Sequence, residues 1–237
     1  MPHAWKGGIQ TKILKRKLEE LEDGGTVVLS APRSPYRCPP GPYERACVIA
    51  HILKTKKPKS KLIILDPKMA FSKQPVFLEA FERHYKDIVE LHLTNDIDDY
   101  SVTRVDPHSG EIRTKAGMTV KAALANIVPD QKAGSIAHAA GLTEGDWCPV
   151  NFENFTSTKA EHVYVIGDAA IADGMPKSAF SAHSQAVAVA GHVLADLVEK
   201  QRPEALYRNT CWSWLALAMD RGSPAGSRPS ITRSIHR

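Results

Sequence analysis

Near its start the chain alternates short apolar strands with helix-patterned segments, and this alternation limits the fold more than any other feature. TVVLS at Thr26–Ser30, KLIILD at Lys61–Asp66 and IVELHL at Ile88–Leu93 are short, apolar and rich in branched residues, as buried strands are. Between them lie helix-spaced segments, one from about Tyr43 to Lys54 and one from Pro75 to Tyr85 with large apolar residues at 77, 78, 81 and 85. Strand, helix, strand, helix, strand predicts a parallel sheet with both faces covered, the βαβαβ half of a doubly wound α/β fold. A helix over Ile9–Leu21, ended by Gly24-Gly25, precedes it. After it, Val102–Val105, Glu111–Lys115 and Val120–Val128 read as antiparallel strands, with Gly110 and Gly117 at the turns.

The first strand-to-helix turn is the place where such a fold holds a dinucleotide, and that requires G-x-G-x-x-G so that the backbone can approach the pyrophosphate. Here Ala31–Pro42 contains one glycine and five prolines, and no G-x-G-x-x-G occurs anywhere in the chain. The module therefore has the architecture of an NAD domain with a degenerate NAD site. Asp66 ends the second strand where a ribose-binding acid would stand; an acid that merely caps a strand end is the commoner case.

A second motif is TKAEHVYVIGD, Thr158–Asp168. A threonine, a polar spacer, four β-type residues and Gly-Asp match the second flavin-binding motif of two-dinucleotide-domain flavoproteins. In that pattern a buried strand (Val163–Ile166) delivers Asp168 to accept hydrogen bonds from the ribityl chain of FAD, and Gly167 lets the backbone pass close. Met175-Pro176-Lys177-Ser178 then opens a long helix to about Glu199. Its positive N-terminal end, together with Lys177, would favour negative charge on a reduced ring. Ser178, His183 and Asp168 are near in sequence, but no G-x-S-x-G elbow supports a hydrolase.

Four cysteines among 237 residues are too few for a disulfide-built scaffold, and no C-x-x-C pair exists to hold zinc. Cys47 falls on the apolar face of a helix and Cys148 lies between Trp147 and Pro149, both packing positions. Cys38 stands in the proline-rich loop beside Arg37 and before a helix start, features that lower a thiol pKa and expose the sulfur. Cys211 follows the flavin-type motif and its helix; spacing alone does not pair it with Cys38. At 43% hydrophobic and 24% charged the composition is that of an ordinary soluble domain, and no run approaches the length of a membrane span. Of the formal charge of +5, the last 17 residues supply four arginines and no acid, so the body carries only +1 and a nucleic-acid partner is not expected.

The stretches PHAWKGGIQTKIL, APRSPYRCPPGPYERA, KLIILD followed by FSKQ, WCPV, YVIGDAAIADGMPKSAFSAHSQA and YRNTCWSWLA together resemble the flavoprotein subunit of flavocytochrome c sulfide dehydrogenase, over about residues 2 to 219. That family is related to sulfide:quinone oxidoreductases and glutathione-reductase-like flavoproteins. The resemblance implies FAD as cofactor, sulfide as substrate, a c-type cytochrome subunit as partner and electron acceptor, and a periplasmic location. It implies a redox disulfide beside the flavin formed by Cys38 and Cys211. It also implies that the flavin is contacted by Gly167, Asp168, Pro176, Lys177 and Ser178. The family's upstream G-x-G-x-x-G segment and its flavin-attaching cysteine have no counterpart in these residues, so a fragment is expected.

The expected organisation is a connecting helix over 1–24, a Rossmann-like central domain over 25–130 and the return half of an FAD-binding domain over 131–205. The start of a C-terminal domain over 206–219 and a basic, disordered tail over 220–237 complete it. Two other functional classes stay open on the sequence: a pyridine-nucleotide disulfide or sulfide:quinone oxidoreductase, and a non-catalytic interaction domain acting through its basic tail.

Overall fold

The computed structural model describes residues 1–216 and the backbone of 230–234. In chain order the elements are α1 (Ile9–Glu20), β1 (Thr26–Ser30), α2 (Gly41–Lys56), β2 (Lys61–Asp66), α3 (Gln74–Tyr85), β3 (Val89–Leu93), β4 (Val102–Val105), β5 (Glu111–Thr114), β6 (Thr119–Lys121) and β7 (Leu124–Ile127). There follow α4 (Ser135–Ala139), β8 (Cys148–Pro149), β9 (Ala170–Ile171), α5 (Ala179–Leu197), β10 (Arg208–Trp212) and β11 (Ser230–Ser234). The chain divides into two compact units. Of the described residues, the first comprises 1–34, 40–130 and 213–216, and the second 35–39, 131–212 and 230–234.

The first unit is built on a parallel sheet in the order β3-β2-β1-β7. Val28 lies opposite Ile63 on one side and Ala125 on the other. The period of two divides each strand between two cores. Val27, Leu29, Leu62 and Ile64 join the helical residues Tyr43, Ile49, Leu53 and Phe77 in one cluster. Val28, Ile63 and Leu65 join Ile112 and Val120 of the β4-β5-β6 meander in another. Both faces of β1 and β2 are thus covered, which is why Val27–Leu29 and Leu62–Leu65 are continuously apolar rather than alternating.

The expected α/β class therefore holds, and β1 and β2 have the bounds expected of them. The run Val120–Val128, expected as one strand, is two. After Lys121 the Ala122 N–H donates to Gly110 C=O, and the Ala123 N–H donates to Thr26 C=O. The chain thereby leaves the antiparallel meander and enters the parallel sheet as β7. Gly110 has φ +75, and a Cβ there would lie 2.4 Å from the Ala122 carbonyl oxygen, so this turn admits only glycine.

In the second unit the four apolar residues Val163–Ile166 are half-exposed and form no ladder strand. Tyr164 makes one isolated bridge to Thr156, and the Val165 N–H donates to Phe155 C=O. The expected buried strand is therefore an extended segment, followed by a tight turn over Gly167–Ala169. The helix expected to open at Met175–Ser178 begins at Ala179, because Ser178 is its N-cap and accepts from the Ser181 N–H. Within the tail expected to lack order, Ser230–Ser234 pairs antiparallel with β10, so that expectation does not hold for those five residues. The rest of the expected tail lies outside the described residues.

Candidate functional site

The sequence-predicted site residues all belong to the second unit, since Cys38 falls in its 35–39 segment. Cys38 is exposed and has φ 53, the left-handed region that few non-glycine residues adopt. Two backbone contacts hold it there. The Cys38 N–H donates to the Lys177 carbonyl at 2.7 Å, and Arg37 forms a parallel bridge with Lys177. The Arg37 N–H donates to Gln131 Oε1, and the Tyr36 hydroxyl donates to the Pro39 carbonyl, closing the loop on itself. The prolines of this loop thus fix a shape that presents one thiol.

Lys177 lies at the centre of the arrangement. Its side chain is buried, and Nζ donates to the carbonyls of Asp168 at 2.8 Å and Ala170 at 2.6 Å. The same ammonium lies 3.9 Å from the centre of the Trp147 ring. Burial brings its pKa down to about 8, opposed by the negative charges of Asp168 and, when ionised, Cys148. The ammonium is therefore committed to organising its own unit: it ties the Gly167–Ala169 turn to the segment that receives Cys38.

Asp168 stands on that turn with its carboxylate exposed and without a hydrogen bond among the described residues. Gly167, at φ +70, donates its N–H to Gln185 Oε1 of α5 at 2.7 Å. At the start of α5 the Ser178 and Ser181 hydroxyls both donate to Asn209 Oδ1, at 2.6 and 3.2 Å. Asn209 is two residues before Cys211 on β10. Ser184 continues the seam, its hydroxyl donating to the Arg208 carbonyl. Cys211 is partly exposed. The hydroxyl of Ser178 is thus engaged by Asn209, which also separates it from any role as a nucleophile beside His183.

The two cysteines are therefore tethered to consecutive residues, Cys38 to Lys177 and the strand carrying Cys211 to Ser178. Pro176, the remaining predicted residue, directly precedes this pair. Sequence reading missed Asn209, Gln185 and Trp147 as connectors. A polar Gln one turn before the apolar Val189 on the covered face of α5 was the available signal for Gln185; Asn209 and Trp147 offered none beyond lying within two residues of a cysteine.

The other two cysteines are packing residues. Cys47 is fully buried and its thiol is pushed up to about 12, chiefly by burial and secondarily by Glu44. Cys148 is fully buried in β8, and burial raises it against the pull of Lys177. In the first unit, Asp66 is fully buried at the end of β2. Its carboxylate accepts from the Tyr43 hydroxyl at 2.5 Å and pairs with Lys68 at 2.7 Å. The acid in the ribose position is thereby occupied with internal partners.

A parallel sheet in the order β3-β2-β1-β7, with helices on one face and a β-meander on the other, is a mixed α/β fold, and solved structures share it. The sulfide:quinone oxidoreductase of Aquifex aeolicus superposes with a TM-score of 0.61 at 15% identity, over 95% of this chain and 57% of that one. A chain of the Tetrahymena thermophila mitochondrial ATP synthase gives 0.63 at 17% identity, over 90% and 52%. The ferredoxin reductase for the CYP199A2 system from Rhodopseudomonas palustris gives 0.54 at 17%, over 86% and 48%. The chain thus spans about half the length of the solved chains it matches. Residues 11–129 match the family model of the sulfide dehydrogenase (flavocytochrome c) flavoprotein chain, central region. This protein belongs to that flavoprotein family. Among the described residues no helix is long and apolar enough to cross a membrane.

Proposed function

We propose that this chain carries the thiol machinery and part of the flavin site of a sulfide dehydrogenase, with Cys38 and Cys211 as its redox pair. The observation that carries the reading is the tethering of both cysteine-bearing segments to Lys177 and Ser178, at the start of α5. Hydrosulfide attacks one sulfur of the oxidised pair. A bond forms from the incoming sulfur to one cysteine, the cysteine–cysteine bond breaks, and the other cysteine leaves as a thiolate. The pair is reduced by two electrons and the sulfide sulfur is oxidised by two. The exposed position of Cys38 favours it as the sulfur that is attacked.

The residues present fit FAD. The Asp168 carboxylate has unused acceptor capacity for a polyol hydroxyl, and the Ala179 and Phe180 N–H groups at the start of α5 find no acceptor among the described residues. Gly167, Asp168, Pro176 and Ser178 would hold the cofactor, which when bound would supply two-electron acceptance and one-electron release. The α5 terminus supplies positive potential there. Lys177 acts as a positioning residue, since its ammonium is spent on two carbonyls and Trp147. Delivery of electrons to a c-type cytochrome subunit in the periplasm completes the proposal. The pyridine-nucleotide alternative is disfavoured by Asp66, whose carboxylate is held by Tyr43 and Lys68.

The test supplies FAD and sulfide to the full chain and follows flavin fluorescence and sulfide consumption separately. Asp168→Ala should weaken flavin binding and leave thiol reactivity unchanged; Cys38→Ser should retain the flavin and lose sulfide consumption. Sulfide consumption by Cys38→Ser at the parent rate refutes the thiol assignment.

A further inference from the structure

A cavity lies in the first unit, in the crevice at the carboxyl ends of β1 and β7. Its volume is about 420 Å³, within the range of small-molecule sites. The position is set by topology: β2 and β3 extend the sheet to one side of β1, while β7 returns on the other. The adjacent strands β1 and β7 therefore diverge into loops in opposite directions, Ala31 onward from one and Val128–Asp130 from the other, and leave a cleft between them. The meander closes its far side.

The lining has a definite chemistry. Pro67, Val105, Ile127 and Pro129 give a stiff apolar wall. Opposite it stand three cations and two acids. Arg33 is bound to Asp130, whose Oδ2 is 2.7 Å from Nε and whose Oδ1 accepts the Arg33 N–H. Lys115 is bound to Asp99 at 3.1 Å. Arg104 is paired with neither acid of the lining, though its charge also acts on Asp106 outside it, so the lining holds one cation in excess. Ser101 and Thr103 also line the cavity; their hydroxyls donate to Asp99 and to the Arg113 carbonyl and keep acceptor capacity for a ligand hydroxyl. An apolar wall, hydroxyl groups and one surplus guanidinium suit a ligand with a flat body, a polyol and a single anionic head.

A dinucleotide is a poor match. The turn after β1 has five prolines and no G-x-G-x-x-G, the Pro32 carbonyl is held by Lys68 Nζ, and Asp66 is sequestered. We propose that this cavity binds a nucleoside monophosphate, its phosphate on Arg104 and its base against the proline-lined wall. The site is independent of the sulfur chemistry: none of its residues belongs to the unit that holds Cys38 and Cys211.

Calorimetric titration of the full chain at low salt, with AMP, nicotinamide mononucleotide, inorganic phosphate and NADH as separate probes, tests this. Both mononucleotides should bind. Inorganic phosphate should bind at least about tenfold more weakly, and NADH no more tightly than AMP. Arg104→Ala should weaken AMP about tenfold or more, with Arg104→Gln, which keeps an unbranched polar side chain without the charge, doing the same if the alanine variant melts early. Absence of heat from either mononucleotide, equal binding by phosphate alone, tighter binding of NADH, or undiminished AMP binding in a folded Arg104 variant overturns the proposal.

Discussion

Lys177→Met is the substitution on which the site's architecture turns. Methionine fills a similar volume and keeps the backbone, so the Cys38 N–H retains its acceptor on the Lys177 carbonyl. What is lost are two donors, leaving the Asp168 and Ala170 carbonyls unmatched in a covered region, and the cation over Trp147. Each lost charged hydrogen bond is worth about 1–3 kcal/mol, and the ring contact about 0.5–2 kcal/mol. Against this, methionine removes the cost of burying an ammonium, so the net loss at neutral pH should be about 2–3 kcal/mol. For a chain of this size that is about 5–10 °C in the melting transition of the affected unit.

The pH dependence gives a sharper test. Burial brings Lys177 from 10.5 to about 8, so between these values the unfolded chain binds a proton that the folded chain has shed. Parent stability therefore rises with pH across that window through this group, while the methionine variant has no such contribution. The difference in melting temperature between parent and variant, followed by circular dichroism, should widen from pH 8 to 10. A difference that stays constant or narrows would refute the lowering of the Lys177 pKa by burial, and a variant as stable as the parent at pH 7 would refute a net contribution from its three contacts.

Tyr43→Phe removes a donor from the buried Asp66 carboxylate and should cost about 1–3 kcal/mol, read as a lower urea midpoint with unchanged slope. Thiol labelling by an aromatic disulfide at pH 8 should proceed at Cys38 first and Cys211 next. Cys148 and Cys47, both fully buried, should react only as fast as the chain opens.

The parts of the fold legible in the sequence are those where burial is complete. β1 and β2 read clearly because helices cover one face and the meander covers the other, so Val27–Leu29 and Leu62–Leu65 are apolar without alternation and polar residues stand only at the strand ends. Val120–Val128 misled because its apolar character is continuous while its hydrogen-bond partners change at Ala122; a switch between sheets leaves no mark on hydrophobicity. Val163–Ile166 misled in the opposite sense. Its β-type residues pack on one side against Phe155 and α5, without a neighbouring ladder in the described residues. For the site, residue types were informative and connections were not. Cys38 stood out through its prolines, and Asp168 through the Gly-Asp ending. That Lys177 turns inward, and that Asn209 fastens β10 to Ser178, depends on single hydrogen bonds between distant residues, which carry no periodic signal.

The claim beneath the functional reading is that Cys38 and Cys211 exchange electrons as a pair. Peptide mapping of the mildly oxidised chain by mass spectrometry, before and after brief exposure to sulfide, addresses it directly. The account predicts a peptide cross-linked through Cys38 and Cys211 that sulfide opens, leaving one extra sulfur atom on one of the two cysteines. Oxidation that yields no such link, or a link that sulfide leaves intact while the buried Cys47 and Cys148 are untouched, contradicts it.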